Sequence, residues 1–322
     1  MNRAKVQHFL WRHTYIFSLL LLVVLLAVNY SLQDNLFELR VLNNSMRTLL
    51  PLILLAVGQA IVVIGGGIDL SVGTMVSMLV AMLVNLIDPE STTNEIVLSI
   101  LAVCGAGILA GLLNGFAVAF LRLQPIVTTY ATSFIFSGVA LLLLPRPGGQ
   151  IPTDLRRFYA QTPYGVPLSF YVIGALLLFW VVLRSTRYAQ YLFATGSDSQ
   201  AAYKTGIPVR LVRMSTYVWA GLFAGLAATA LTLSTGSGQA NIGDNMTLDS
   251  IVAVVLGGTS MSGGKGGIAG AIIGVMILRT IRNVIFFASV PTWSQTLVNA
   301  LIIIAALAGP GLIALVRRVV KK

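Results

Sequence analysis

Charge is scarce in this sequence. Asp, Glu, Lys and Arg together make up 10% of its 322 residues, and only ten of them are acidic. A soluble domain of this length needs more charge than that to cover its surface. Cysteine and histidine are nearly missing as well: Cys104, His8 and His13 are the full complement. One cysteine cannot close an internal disulfide, and Cys104 sits in an apolar run where it reads as a small packed side chain. The two histidines lie near the N-terminus without metal-ligand company, and no HExxH is present. No serine or cysteine in an apolar segment has a plausible paired base. Residues 257–267, GGTSMSGGKGG, suggest a phosphate loop but break the GxxxxGK[ST] pattern: Gly264 precedes Lys265, and Gly266 stands where the magnesium-binding hydroxyl belongs. No catalytic residue, metal site or nucleotide site is expected on this chain. No linker or low-complexity tract divides it either.

What fills the chain is apolar surface: 57% of residues are hydrophobic and the mean hydropathy is +0.88. Such a composition belongs in a bilayer, where a spanning helix needs about 20 apolar residues. The expected fold is all-α and integral to the membrane, with about ten transmembrane helices, some broken or re-entrant. Candidate spans lie near 14–32, 49–64, 68–87, 96–121, 126–144, 167–183, 211–233, 249–261, 267–289 and 296–316. The second and eighth are short. The first follows Arg3, Lys5 and Arg12 but lacks a small-x-small cleavage site, so it reads as a retained span rather than a signal peptide. The domain plan is a cytoplasmic tail over 1–13, a transmembrane domain over 14–316 and a basic cytoplasmic tail over 317–322.

Charge placement tests this plan. With the N-terminus cytoplasmic, ten spans leave 14 of the 21 basic residues in cytoplasmic segments and five outside, with Arg279 and Arg282 inside a span. That is the bias the positive-inside rule describes. The net charge of +11 is therefore topology, not a nucleic-acid footprint. The segments AGILAGL at 106–112 and AGLFAGL at 220–226 echo each other. They read either as a close-packing device for helices or as a mark of a duplicated half, hence a candidate internal repeat.

Residues 64–73, IGGGIDLSVG, break an apolar segment. Three glycines can end one helix and turn the chain, and Asp69 is then placed to cap the next by accepting free amides of its first turn. The alternative is that the break lines a polar path, because irregular backbone at membrane depth persists only where protein buries it or water reaches it.

Residues 66–73, GGIDLSVG, look like the signature of permease subunits of ribose-type ABC sugar importers. Residues 194–208, ATGSDSQAAYKTGIP, resemble a second family segment, 248–267, LDSIVAVVLGGTSMSGGKGG, a third, and Gly58-Gln59 a looser fourth. They stand in the family's order, and the resemblance covers about 45–315. Departures are Gly65 where Thr or Ser is expected, Ser197-Asp198 for Gly-Asn, Tyr203-Lys204 for Arg-Leu, and the Arg279/Arg282 pair. The resemblance implies a multi-pass bacterial inner-membrane protein that passes a monosaccharide or small polyol. The partners it implies are an ABC ATPase subunit carrying ATP and magnesium, a periplasmic sugar-binding protein and a second permease subunit. Rival readings are a branched-chain amino acid ABC permease, an ion-coupled secondary transporter with Asp69 as its carboxylate, and a membrane scaffold or sensor.

Four groups of residues carry the expectations. Gly66, Gly67, Asp69, Ser71 and Gly73 form the broken-helix signature. Gly196, Asp198, Ala201, Ala202 and Gly206 form a cytoplasmic coupling element. There Ser197 or Asp198 caps a short helix, Ala201 and Ala202 keep its face small, and Gly206 with Pro208 stops it. Gly257, Gly258, Gly263 and Gly264 belong to a second glycine-rich turn, either a tight hairpin or a re-entrant loop. Gln59, Asn114, Arg279 and Asn283 are candidates for the solute pathway. Arg279 and Arg282 share a helix face and either touch that pathway or snorkel outward past the end of a shorter helix.

Overall fold

A computed structural model describes residues 15–295 together with 297, 298, 300, 301 and 304. The expected tails over 1–13 and 317–322 and most of the tenth span over 296–316 lie outside the described residues.

The chain forms twelve α-helices among the described residues: α1 (Tyr15–Leu32), α2 (Leu39–Ile64), α3 (Val72–Leu86), α4 (Thr93–Ala119), α5 (Pro125–Leu143), α6 (Thr153–Tyr159), α7 (Leu168–Ser185), α8 (Arg187–Ser197), α9 (Ser199–Lys204), α10 (Val209–Thr235), α11 (Met246–Leu256) and α12 (Ile268–Phe287). Six of them, α2, α4, α5, α7, α10 and α12, are long and apolar enough to cross a membrane. Of the other apolar helices, α1 has 18 residues, and α3 and α11 are shorter, with 15 and 11. The only β pairing among the described residues is an isolated bridge between Gly148 and Gly238.

The expected short second span proves to be half of a long helix. α2 has 26 residues and carries Pro51 inside it. Residues 49–64 are buried on every face, so this apolar half is the central post of the bundle rather than a lipid-facing span. A helix that is hydrophobic all round is a buried one. α10 packs along it and along α4, while α12 and α11 cover its other side.

The echoing segments are a packing device. α4 and α10 run antiparallel in close contact, and the two segments face each other. A methyl group at Gly107 would overlap the carbonyl of Gly221, and one at Gly111 would overlap that of Tyr217. At Gly225 a methyl would lie 2.8 Å from the Cα of Cys104, which is a buried free thiol. In lipid, helices associate by close backbone approach, which small residues permit.

α3 and α11 are partial spans. At 15 and 11 residues, they reach about 22 Å and 16 Å, short of the roughly 30 Å hydrocarbon layer. Their first turns meet, because the Gly73 amide donates to Thr247 Oγ1 at 2.9 Å. From there α3 leaves for the end of the bundle where α5 finishes, and Asn85 Nδ2 reaches the Leu143 carbonyl at 2.8 Å. α11 leaves for the opposite end, where α8 and α9 lie.

Candidate functional site

α2, α9 and α11 all stop with the same device. At the end of α2 the Gly66 amide donates to the carbonyl of Val63 and the Gly67 amide to that of Val62, each at 3.0 Å, with Gly66 at φ +81°. This is a Schellman stop, and its left-handed residue is where glycine avoids the Cβ penalty. Gly206 and Gly258 occupy the equivalent place after α9 and α11, at φ +83° and +84°. The chain then runs without helix through 65–71 before α3.

Asp69 is fully buried in that stretch. Its Oδ1 accepts from the Ser71 amide at 2.8 Å and the Ser71 hydroxyl at 2.6 Å, and Asn114 Nδ2 of α4 donates to the same hydroxyl at 2.8 Å. The sequence-based expectation needs correction here. Asp69 makes an Asx turn ahead of α3 instead of capping amides within its first turn, because Ser71 itself takes the cap position. Asp69 Oδ2, Asn114 Oδ1 and the hydroxyl of Tyr217 are buried without a hydrogen-bond partner among the described residues. A methyl at Gly67 would lie 2.7 Å from that Tyr217 hydroxyl. Sequence reasoning missed several residues that hold the break. Thr129 Oγ1 accepts the Leu70 amide at 3.0 Å, and Thr247 takes Gly73. Ser77 donates to Asp244 at 2.8 Å and accepts from the Gly243 amide at 2.9 Å. Isolated hydroxyls in apolar helices are common, and nothing local marks these.

The segment expected to couple to a partner forms a helix pair. Asp198 Oδ1 accepts the amides of Gln200 at 2.9 Å and Ala201 at 3.0 Å, capping α9. Only part of the expected small face points outward: Ala201 is exposed, but Ala202 is buried against the chain's own core. One step along a helix turns a side chain by 100°, so the two cannot share a face. Tyr203 is the large exposed side chain beside Ala201, at 75% exposure.

The three motifs meet at their glycines. The Gly264 amide donates to the carbonyl of Ile64, the last residue of α2, at 2.9 Å. Gly196 wedges between them: a methyl there would overlap the Ile64 oxygen and sit 2.6 Å from the Gly264 amide nitrogen. A methyl at Gly263 would lie 2.6 Å from the Gly196 oxygen and 2.9 Å from the Cα of Gly66. Backbone touches backbone, so α8, the break after α2 and the α11–α12 turn are fixed to one another. That turn is a tight hairpin: Gly257 and Gly270 pack backbone to backbone, and Lys265 is exposed at its tip.

The candidate pathway residues separate. Gln59 and Asn114 are fully buried inside the bundle. Arg279 and Asn283 instead line a cavity of about 710 Å³ between the first half of α2 and the last half of α12, at the end away from α8 and α9. Asn44, Ser45, Thr48 and Arg282 line it too. α12 continues past both arginines to Phe287, so they face a cavity and do not snorkel past a helix end.

Residues 41–307 match the family described as branched-chain amino acid transport system / permease component. The ribose import permease protein RbsC of Escherichia coli (strain K12) is 32% identical over 297 residues, covering 90% of this chain and 91% of that protein. RbsC of Bacillus subtilis (strain 168) is 34% identical over 261 residues, covering 79% of each. The galactose/methyl galactoside import permease protein MglC of Escherichia coli (strain K12) is 30% identical over 303 residues, covering 88% of this chain and 90% of that protein. No solved structure gives a significant match. With most of its length matched, the chain belongs to this family of transport-system permease components and is a multi-pass membrane permease.

Proposed function

We propose that the chain is the permease subunit of an ABC importer for a monosaccharide or related small polyol. The observation that carries this reading is the likeness to ribose and galactose import permeases along nearly the whole chain. In this reading the α8–α9 end is cytoplasmic, as are both termini, and ten spans complete the subunit. A separate ATPase subunit, holding ATP and magnesium, docks on the exposed side of α9. A periplasmic binding protein delivers solute at the other end, and a second permease subunit, identical or not, completes the path. The glycine junction supports a mechanical role for these residues. A displacement of α8–α9 reaches the last residue of α2 and the α11–α12 turn through direct backbone contact, with no flexible side chain to absorb it. ATP and solute then shift the balance of inward and outward states through their unequal affinity for the two.

The family's description names branched-chain amino acids, and that substrate is the second reading. The test is a mild-detergent pull-down of the tagged chain from its own host, followed by ligand screening of any binding protein recovered. An ATPase with tandem nucleotide sites and a binding protein that holds a sugar is the expected result. A binding protein selective for leucine or isoleucine would favour the second reading, and intact chain that never brings down an ATPase would sink both.

A further inference from the structure

We propose that the cavity at Arg279 selects a sugar that carries a carboxylate, an aldonate or uronate, over its neutral counterpart. The proposal rests on the sugar-importer reading and assigns its substrate class.

Two arginines enter this cavity, but they are not equivalent. Arg282 Nη2 lies 2.6 Å from Asp249 Oδ1, so that guanidinium is matched by a carboxylate. Arg279, one turn earlier on α12, is partly buried and makes no ion pair or hydrogen bond among the described residues, and its Nε is buried without a partner. Among the described residues no other acid makes an ion pair with it, and Asp34 and Glu38, in the stretch that joins α1 to α2, are exposed and stand outside the lining. All ten acidic side chains fall between residues 34 and 249, within the described part, and Asp249 is the one acid that pairs with an arginine of this cavity. The segment after α12 contains no Asp or Glu at all. An arginine guanidinium inside a membrane-spanning helix is costly to hold and marks a functional site when it faces a cavity.

The rest of the lining suits a polyol. Asn44, Ser45, Asn283 and Gln295 offer donors and acceptors for hydroxyl groups, and Phe286 and Phe287 add apolar faces. The cavity's volume of about 710 Å³ falls inside the roughly 300–1,000 Å³ of small-molecule sites. One unmatched positive charge is balanced by one carboxylate, and the guanidinium fork fits both of its oxygens. A phosphate dianion would leave an excess of negative charge.

The test is uptake by cells carrying the complete importer, using radiolabelled matched pairs: D-galactose with D-galacturonate, and D-ribose with D-ribonate. The expected result is ATP-dependent uptake that favours the acid of at least one pair. Arg279→Gln should lower the acid-to-neutral ratio on the order of tenfold or more, the scale of a lost hydrogen bond to a charged group. Arg279→Lys should keep a larger share of that ratio. Faster uptake of the neutral members, with a ratio that Arg279→Gln does not move, would overturn the proposal and leave the importer reading standing. No ATP-dependent uptake of either acid would likewise overturn the proposal, whereas intact chain that brings down no ATPase would count against the importer reading instead. The charge assignment is then read separately on the purified full chain carrying Cys104→Ala and Asn283→Cys. The cavity thiol should react faster with the anionic sulfonatoethyl methanethiosulfonate, relative to the cationic trimethylammonioethyl reagent, than it does when Arg279→Gln is added. Equal ratios in the two backgrounds would overturn it.

Discussion

The amide of Gly264 donates to the carbonyl of Ile64 at 2.9 Å, joining two residues 200 positions apart. Ile64 would otherwise leave a helix-terminal carbonyl unsatisfied deep in the protein, and Gly264 supplies the donor. The bond passes directly beside Gly196, so three sequence motifs share one point.

Gly196→Ala should damage that point most. Its new methyl would overlap the Ile64 oxygen, and overpacking of this kind costs about 1–3 kcal/mol. Gly206→Ala is the control. It has open space around it but a φ of +83°, so it should cost only the left-handed backbone penalty of about 1–2 kcal/mol. Thermal unfolding of the detergent-solubilised chain checks the stability. ATP-driven uptake by the assembled importer should fall further for Gly196→Ala than for Gly206→Ala. Equal losses would show that the junction transmits nothing.

Asp198→Ala should loosen α9. Removal of an N-cap that accepts two amides costs roughly 0.5–2 kcal/mol. Asp198→Ser, which keeps an acceptor, should recover most of it. Co-purification of the ATPase subunit is the readout, and retention of full ATPase by the alanine variant would remove α9 from the docking surface.

Asp69→Asn and Asp69→Ala should part company. Asparagine keeps an oxygen for the Ser71 amide and hydroxyl, and it relieves a fully buried carboxylate that has no cation beside it among the described residues. Its melting temperature should be no lower than wild type. Alanine leaves both Ser71 donors unmet and should cost about 1–3 kcal/mol. An asparagine variant that folds normally but transports nothing would show that the charge itself is used.

Two glycines of α4 should respond oppositely. Gly111→Ala drives a methyl into the Tyr217 carbonyl, while Gly105→Ala meets nothing within 4 Å. The first should destabilise the chain by about 1–3 kcal/mol. The second should be neutral or stabilising by up to about 1 kcal/mol, since alanine is the better helix former. Unfolding curves of the two variants decide it.

Much of the local structure was legible in the sequence because it is written in neighbouring residues. The Gly-rich stops, the Asp198 cap and most helix boundaries follow from backbone sterics and from hydropathy over a single turn or helix. The hydropathy pattern was less informative where a helix changes environment along its length. Residues 39–48 of α2 are polar enough to look like a loop, yet they continue the same helix and form one wall of the Arg279 cavity.

Apolar composition and the scarcity of charge committed the chain to a membrane, since no folded surface in water could carry so little charge. Glycine placement determined where its helices stop. Tertiary structure alone decided that the stops of α2 and α11 and the end of α8 converge on one junction. It also decided that Ala202 points inward, and that Arg282 rather than Arg279 receives Asp249. Those outcomes depend on contacts between residues far apart in the chain, and the bilayer's demand that every backbone group find a partner is met by whichever segment packing brings near.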